Sequence, residues 1–360
     1  MRLVDFLQRT EERDAPREGR GNFELFHSPQ FWGAPIFSPW IDEQLAPTFS
    51  GQVVWPRNRP FAAILSHDVD TLALWSRTEH RRRTAMLWDK QPLITNLRNL
   101  SGLRHSTSRN EMFLPWLDEE KKYGFRSTFY VSAGIPASPH ERDNSYALED
   151  FVHHAGRKRR FMEVLRDWAA EGWEIGLHGS ICAATTPGLL AAEKAKLETA
   201  IGRPVTASRF HNLTFKIETT PTLLHGAGFT SDSTLGSNRM AGFRSGTSYP
   251  HRLEGCDFLE IPLVLHDGAL LRRDNLDLTE DAAFNACRLL IDRVRAVRGV
   301  ITLNWHPNTL LNPGWFRLYG RLLALLAENG AWVATASQIA EWWRSQNLHT
   351  RFEKAVGETE

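Results

Sequence analysis

The chain has 360 residues, with 43 Lys and Arg against 42 Asp and Glu, a formal net charge of +1, and three cysteines. This length suits one large α/β domain or two small ones, and the balanced charge gives no indication of nucleic acid as a partner. Three cysteines are too few for a disulfide framework. The amino terminus lacks an apolar run of signal-peptide length and no later stretch could span a bilayer, so we expect a cytoplasmic protein.

The first 60 residues are rich in Pro, Gly and aromatic residues without steady periodicity, which predicts an irregular extension packed on a main domain. From 61 to 345, apolar runs alternate with amphipathic segments, the pattern of βα units around a parallel sheet. A basic stretch at about 75–110 predicts a helical insertion, and 346–360 a polar C-terminal tail. The predicted strands are 61–67, 126–132, 173–178, 205–210, 228–231, 258–264, 299–305 and 331–335.

Helices are predicted between most of these strands. Thr186–Pro187 and Thr220–Pro221 are typical helix starts, and Gly202 is a typical helix end. Two apolar stripes at helical spacing are Phe161, Val164, Leu165 and Trp168, and Phe284, Cys287, Ile291 and Val294. Seven or eight βα units favour a distorted (β/α)7–8 barrel over an open doubly wound sheet, and no phosphate-binding loop or dinucleotide fingerprint follows the first strand.

The first strand ends in two carboxylates, in the sequence Ile-Leu-Ser-His-Asp-Val-Asp. Asp68 and Asp70 are two residues apart, so in an extended segment they point to the same side. Two close carboxylates need either a cation or a shared proton between them. Later apolar runs also end in ionisable residues, namely His178, His211, Asp232 and His306. Because the carboxyl ends of parallel strands meet at one mouth, we expect one active site there, and the histidines favour a metal.

Taken in chain order, these strand ends resemble the polysaccharide deacetylase family, whose catalytic region is the NodB homology domain (carbohydrate esterase family 4-like), a distorted β/α barrel. The resemblance covers about 280 residues. It implies that Asp68 is the catalytic base and that Asp70 binds a metal, although Val69 separates two aspartates that are adjacent in the common family form. The other implied roles are metal ligand for His178, ionisation of the base for Arg209, general acid for His306, and orientation of that histidine for Asp232.

The third metal ligand departs from the family pattern. The family motif His-Ser/Thr-x-x-His would start at His178, but Cys182 stands where the second histidine should be. His211 is the favoured replacement, because it follows Arg209 at the end of the next strand and can reach the same mouth; Cys182 as a thiolate ligand stays open. The expected cofactor is one divalent metal ion, with zinc favoured and cobalt, nickel or iron open.

Four residues outside the family motifs are candidate substrate contacts: Arg244, His266, Asp267 and Trp305. Arginine can bind anionic or hydroxylated groups, and tryptophan stacks on sugar rings. The resemblance predicts a metal-dependent hydrolase of a carbon–nitrogen amide bond, acting as an N-deacetylase of an acetylated amino sugar or glycan precursor. Two alternatives stay open, hydrolysis of a small non-sugar amide on the same barrel and a non-catalytic carbohydrate-binding barrel. The oligomeric state is open too.

Overall fold

The computed structural model of the protein describes residues 3–13, 36–72, 111–134 and 143–359. Eleven strands lie in these residues, nine of them in one sheet and two in a separate hairpin. In chain order they are β1 (Ala62–Val69), β2 (Thr128–Val131), β3 (Phe151–His154), β4 (Arg157–Arg160), β5 (Glu174–Gly179), β6 (Ala207–Phe210), β7 (Ser231–Asp232), β8 (Leu259–Glu260), β9 (Leu265–His266), β10 (Val300–Asn304) and β11 (Trp332–Val333).

The nine-stranded sheet is parallel at every pairing and runs β8-β7-β6-β5-β2-β1-β10-β9, with β11 also paired to β1. Each parallel connection needs a crossover, and helices supply most of them. The strands β8 and β9 are the two ends of this order and do not pair with each other among the described strands. The sheet is therefore a curled, incompletely closed barrel, as predicted, and its carboxyl ends share one edge.

Eleven α-helices lie in the described residues: α1 (Leu3–Leu7), α2 (Trp40–Leu45), α3 (Leu114–Lys121), α4 (Phe161–Ala170), α5 (Leu189–Ile201), α6 (Thr220–Gly226), α7 (Asp267–Leu271), α8 (Glu280–Ala296), α9 (Pro313–Glu328), α10 (Ala336–Ser345) and α11 (Leu348–Glu358). The predicted stripe of α4 is buried, and in α8 so are Cys287, Ile291 and Val294. Gly202 ends α5 in the left-handed conformation, with a φ of 70°. None of the helices described is long and apolar enough to cross a membrane.

Three local predictions need correction. Of the strand predicted at 258–264, only Leu259–Glu260 is extended as β8, because Pro262 follows and cannot donate to a sheet ladder; the next strand, β9, begins beyond the predicted range at Leu265. No strand was predicted around His153, but these residues form the antiparallel hairpin β3–β4, whose register pairs His153 with Lys158. The helix predicted to start at Pro187 begins at Leu189 instead.

The two ends of the chain pack together. In the described part of the N-terminal extension, Phe6 and Phe49 are buried in a cluster that also contains residues of α11. A polar tail was expected at 346–360, but the segment contains the helix α11. The reason is that Leu348, Phe352 and Val356 recur every four residues and so form one buried stripe. The basic insertion expected at about 75–110 lies outside the described residues, which end at 72 and begin again at 111.

A long loop between β7 and β8 covers the unpaired edges of the barrel. Its segment 241–250 is buried throughout although it contains no helix and no strand. Gly242 donates to Val264 O on one side, and Phe243 donates to Ile36 O of the N-terminal extension on the other. Gly242 has a φ of 140°, and a Cβ there would lie 2.4 Å from Ile36 O. Only glycine allows the loop and the extension to approach this closely.

Candidate active site at the carboxyl edge of the barrel

Asp68 is held as a buried carboxylate at the end of β1. Its Oδ1 accepts a hydrogen bond from Arg209 Nη1 at 3.1 Å, and its Oδ2 accepts one from Asn304 Nδ2 at 2.7 Å. Burial would raise the pKa of Asp68, but Arg209, His178 and His306 outweigh it and hold the pKa below its ordinary value. Asp68 is therefore ionised near neutral pH and can accept a proton.

Arg209 comes from β6 and is fully buried. Its Nη1 also donates to Ser66 Oγ at 2.7 Å, its Nε donates to Ser233 O at 2.8 Å, and its guanidinium lies 4.4 Å from the ring centre of Tyr130. These contacts fix the planar guanidinium against the carboxylate. Sequence reasoning missed Asn304, Ser66 and Ser233 as partners; Asn304 was visible only as a polar residue at a strand end.

Asp70, His178 and His211 come together just beyond the strand ends. One ligand atom from each lies within 4.8 Å of the others. Asp70 Oδ1 is 3.5 Å from His178 Nε2 and 3.7 Å from His211 Nε2. Two ligands each about 2.1 Å from a tetrahedral ion lie about 3.4 Å apart, so this spacing fits a small divalent cation. The structure thus gathers the three predicted ligands around one point.

The hydrogen bonds behind the two histidines set their tautomers. His178 Nδ1 donates to Arg209 O at 2.9 Å, and His211 Nδ1 donates to Asp143 Oδ1 at 3.1 Å. A carbonyl or carboxylate oxygen only accepts, so in the neutral rings both protons are assigned to Nδ1 and both Nε2 lone pairs face Asp70. This is the usual arrangement of partners behind metal-binding histidines. Asp143 was missed from the sequence, since it belongs to an irregular segment.

Two buried atoms in this group have no hydrogen-bond partner among the described residues, namely Asp70 Oδ1 and His178 Nε2. Buried polar atoms are rarely left unsatisfied, because the loss of solvation costs about 1–3 kcal/mol each. Both atoms are electron-pair donors that point at each other, and a cation between them would satisfy both. Burial would raise the pKa of Asp70, but His178, His306 and His211 lower it below its ordinary value, so its carboxylate is ionised near neutral pH.

Cys182 does not join this ligand group in the described residues. It begins a short 3₁₀ turn, Cys182–Ala184, that leads away from the end of β5. The intervening Ser180 bonds to Glu193 through both its N–H and its hydroxyl, at 3.0 and 2.5 Å, and this contact fixes the direction of the turn. Of the two candidates for the third ligand, His211 is the one whose ring faces Asp70.

His306 lies on the other side of Asp70. Its Nε2 is 3.6 Å from Asp70 Oδ2, and its Nδ1 donates to Asp267 Oδ1 at 2.8 Å. Burial would lower the pKa of His306, but Asp267, Asp70 and Asp68 raise it to about 10. Backbone N–H of His306 donates to Asp267 Oδ2 at 2.8 Å, so the carboxylate fixes both ring and main chain. His306 therefore holds a proton on Nε2, facing the site.

The partner predicted for His306 was Asp232, and this prediction is wrong. Asp232 Oδ1 accepts from Ser208 Oγ at 2.5 Å and Oδ2 accepts from Thr234 N at 3.0 Å, while burial raises its pKa. The strand that carries Asp232 is β7, and four strands separate it from β10, which precedes His306. Asp267 follows β9, which is the immediate neighbour of β10. The orienting carboxylate therefore comes from the adjacent strand end.

Two of the four predicted substrate contacts are also wrong. Trp305 is fully buried in a core cluster, and its Nε1 donates to Trp315 O at 3.2 Å. Arg244 is buried as well, because its guanidinium binds Glu12 of the N-terminal extension, with Nη2 to Oε2 at 2.7 Å. Asp267, the third of these residues, instead accepts hydrogen bonds from the ring and the backbone N–H of His306. The apolar pattern around Trp305 and the loop position of Arg244 gave no indication of these partners.

His266 is the remaining predicted contact, and it does lie beside the site. Its ring is edge-to-face with that of His306, with ring centres 5.2 Å apart. Burial lowers the pKa of His266 to about 4. His266, Asp267 and His306 also form a compact group of ligand-type residues. However, His266 Nδ1 accepts from Ala269 N, and His306 Nδ1 donates to Asp267, so these atoms are already used in hydrogen bonds.

Comparisons with known proteins agree with this geometry at the level of the fold. No protein-family model matches the sequence, and no curated protein matches it significantly. Among solved structures, a protein described as a polysaccharide deacetylase from Mycobacterium smegmatis superposes with a TM-score of 0.54 at 21% identity, covering 82% of this chain and 94% of that one. A second one, from Pseudomonas aeruginosa PAO1, superposes with a TM-score of 0.54 at 15% identity, covering 83% and 95%.

The allantoinase PuuE superposes with a TM-score of 0.52 at 14% identity, covering 83% of this chain and 94% of that one. Identities this low establish the fold alone. The chain thus has the distorted β/α barrel of the polysaccharide deacetylase, or NodB-like, type, and the predicted fold and resemblance are confirmed at that level.

Proposed function

We propose that this protein is a metal-dependent hydrolase of a carbon–nitrogen amide bond, and that its substrate is an N-acetylated amino sugar or a related glycan precursor. One observation carries the proposal. Asp70 has three histidines around it, with His178 and His211 at Oδ1 and His306 at Oδ2. A ligand group, an ionised carboxylate and a proton-bearing histidine at one strand edge are the parts that hydrolysis of an amide requires.

The metal would be held by Asp70, His178 and His211. Two imidazoles and one carboxylate suit zinc, and also cobalt, nickel and iron, and three protein ligands leave coordination positions open. A divalent cation there supplies Lewis acidity, which polarises an amide carbonyl and lowers the pKa of water. Zinc is our proposal among these ions because the group contains no further protein oxygen ligand in the described residues.

The protein's own residues supply the proton transfers. Asp68 is ionised and each of its oxygens keeps a free lone pair, so it accepts the proton of the attacking water. Arg209 and Asn304 hold the carboxylate in place during this step. His306 carries a proton on Nε2 and donates it to the leaving nitrogen, while Asp267 stabilises the charged ring. The amide bond breaks, and a carboxylic acid and an amine leave.

A second candidate is hydrolysis of a small non-sugar amide with the same machinery. The allantoinase superposes on this chain almost as well as the two deacetylases do, with a TM-score of 0.52 against 0.54. The fold therefore does not choose between sugar and non-sugar amides, and both classes belong in the assay. The third possibility, a barrel that only binds carbohydrate, would have no need for the Asp68–Arg209 pair or the His306–Asp267 pair.

The first test is the metal content of the purified protein, measured by elemental analysis. We expect about one equivalent in the wild type, loss in His178→Ala and His211→Ala, and retention in the matched control Cys182→Ala. Retention in His211→Ala with loss in Cys182→Ala would assign the third ligand to the cysteine. No metal after reconstitution with zinc, cobalt, nickel or iron would overturn the proposal.

The second test is acetate release from N-acetylated amino sugars and from small amides, with the metal-loaded protein. Release that depends on metal and disappears in His306→Ala supports amide hydrolysis. Turnover of the sugars over the small amides supports the deacetylase assignment, and the reverse supports the second candidate.

A further inference from the structure

His266 occupies a defined side of the site. In the sheet, β9 and β10 lie on one side of β1, whereas β5 and β6 lie on the other. The ligands His178 and His211 therefore belong to one side of Asp68, and His266 and His306 to the opposite side. A substrate whose acyl group lies at the metal ligands would place its amine half next to His306 and His266.

The hydrogen bond at Nδ1 determines where His266 carries its proton. Ala269 N donates to His266 Nδ1 at 3.0 Å, and the histidine thereby caps the start of α7. A backbone N–H cannot accept, so Nδ1 is unprotonated and the neutral ring carries its proton on Nε2. A Cβ on Gly268 would lie 2.8 Å from His266 Cε1. The ring lies directly on the backbone of α7 and is fixed there.

The Nε2–H of His266 has no hydrogen-bond partner among the described residues, although the side chain is only 10% exposed. Its immediate neighbour is the ring of His306. A fixed, neutral N–H donor on a ring that packs against His306 is suited to a neutral oxygen acceptor such as a hydroxyl group. Nothing in the proton transfers described above uses this donor.

We propose that His266 is a specificity-determining residue whose Nε2–H binds a hydroxyl oxygen on the amine half of the substrate, next to the amide nitrogen. This inference rests on the proposed amide hydrolysis and deepens it. It assigns the substrate to hydroxylated amides, among which a free 2-acetamido sugar such as N-acetylglucosamine carries a hydroxyl on each carbon beside the one that bears nitrogen. A simple alkyl amide offers no such oxygen.

Two variants separate the two hydrogen bonds of His266, namely the one that Nδ1 accepts at the start of α7 and the one that Nε2–H would donate to the substrate. In His266→Asn, the amide oxygen can still accept from Ala269 N, but the donor at the Nε2 position is gone; in His266→Gln, the amide nitrogen can reach the Nε2 position and the cap is lost. The exposed His225 is a matched control, because its Nδ1 also accepts a backbone hydrogen bond, from Asp257 N at 3.2 Å. We expect His225→Asn to behave as the wild type.

The kinetic test compares N-acetylglucosamine with N-cyclohexylacetamide, which has the same amide on a ring without hydroxyls. For the sugar, we expect His266→Asn to raise KM about tenfold with a smaller change in kcat, and His266→Gln to recover most of that loss, since one neutral hydrogen bond is at stake. For the cyclohexyl amide, we expect no change. An equal loss on both probes would overturn the hydroxyl contact.

A second readout does not need turnover. In protein with ¹⁵N-labelled histidine, the ring signals of His266 are those missing from His266→Asn, and we expect an unprotonated Nδ1 and a protonated Nε2. Saturating N-acetylglucosamine should shift the Nε2–H signal, and N-cyclohexylacetamide should not. An Nδ1–H tautomer, or no shift with the sugar, would overturn the inference. If the wild type hydrolyses neither probe, amide hydrolysis of these two substrates is ruled out. The shift of the Nε2–H signal with N-acetylglucosamine still tests whether His266 binds the sugar.

Discussion

Two pairs of carboxylates in this barrel show how environment sets charge at the level of single residues. Asp68 and Asp70 are two positions apart, yet each has its own cationic or donor partners, and both pKa values are lowered. Asp232 and Glu260 face each other across β7 and β8, are buried, and have raised pKa values. The second pair is therefore suited to share a proton, whereas the first pair is ionised and available for chemistry.

If Asp68 is the catalytic base, its substitution should lower turnover without lowering metal content. In Asp68→Asn, the side chain keeps its shape but cannot take a proton, so we expect kcat to fall by about 10²–10⁴. Metal content should stay at the wild-type value, because Asp68 lies outside the ligand group. Elemental analysis and acetate release on the same preparation check this. Loss of metal in Asp68→Asn, or retention of metal in the control Asp70→Asn, would contradict the assignment.

At the scale of elements, α2 is tied to the loop between β7 and β8 by one buried carboxylate. Asp42 accepts hydrogen bonds from Thr247 Oγ1, from Ser248 N at 2.7 Å and from Ser248 Oγ at 2.6 Å. Burial nevertheless raises its pKa to about 7. Because these bonds join the extension to the loop that covers the barrel opening, the protonation of Asp42 affects how firmly the two are held.

This raised pKa predicts a pH dependence of stability. Below the ordinary value of 3.8, Asp42 is protonated in both states; between about pH 4 and pH 7, the unfolded chain loses the proton and the folded chain keeps it. The contribution of Asp42 is therefore fully present at low pH and is lost as the pH rises to about 7. The loss is on the order of 4 kcal/mol, since each pH unit corresponds to about 1.4 kcal/mol.

The measurement is urea unfolding of wild type and Asp42→Asn at several pH values. The asparagine is neutral throughout, and its amide nitrogen can donate to Thr247 Oγ1 while its oxygen accepts from Ser248. We expect the stability difference to move in favour of the variant as the pH rises from 4 to 7. A difference that is independent of pH in this interval would contradict the raised pKa.

The terminal helix α11 is held by packing. Phe352 is fully buried, with ring centres 5.4 Å from Phe49 and 5.3 Å from Tyr249. We expect Phe352→Ala to lower the free energy of unfolding by about 3–5 kcal/mol, the usual cost of removing a buried phenylalanine ring. Arg351 is exposed on the same helix, so Arg351→Ala should change stability by about 0.5 kcal/mol or less. A cost below about 1 kcal/mol for Phe352→Ala would show that α11 is not part of the cooperative core.

At the scale of the whole molecule, buried charges connect the N-terminal extension to the barrel. Arg9 and Glu12 are fully buried, and Arg9 Nη1 donates to Arg244 O at 2.7 Å. Glu12 binds both Arg9 and Arg244, and the two arginines, with their hydrogen bonds, hold its pKa below its ordinary value despite burial. The barrel opening is thus covered by a loop, and the loop is itself fixed by a segment more than 200 residues earlier in the sequence.

Removing the carboxylate of this group should be costly. In Glu12→Ala, two buried arginines lose their carboxylate partner, and we expect a loss of about 3–5 kcal/mol in the free energy of unfolding. The surface pair Arg13–Glu254, at 3.7 Å with side chains 51% and 79% exposed, provides the control, and Glu254→Ala should cost about 1 kcal/mol or less. KM of the folded Glu12→Ala protein should stay unchanged; a large rise would return Arg244 to the substrate contacts.

The sequence by itself determined the repeating βα units and the residues at the strand ends. Apolar runs that end in Asp68, His178, Arg209 and His306 follow from local chemistry, because a buried strand needs apolar residues and its carboxyl end is where polar groups can face a cavity. These signals are local in sequence and predict the fold and a single site at the strand ends. The metal-ligand roles of Asp70, His178 and His211 are a proposal, which rests on the family resemblance as well as on these signals.

Only the tertiary structure decided which strand ends are neighbours. Asp267 rather than Asp232 binds His306, because β9 lies beside β10 and β7 does not. The guanidinium of Arg244 binds Glu12, and Trp305 is buried in the core, through contacts between residues far apart in the chain. Such pairings depend on sheet order and on packing of the whole molecule, and no periodicity or spacing along the sequence encodes them in a readable form.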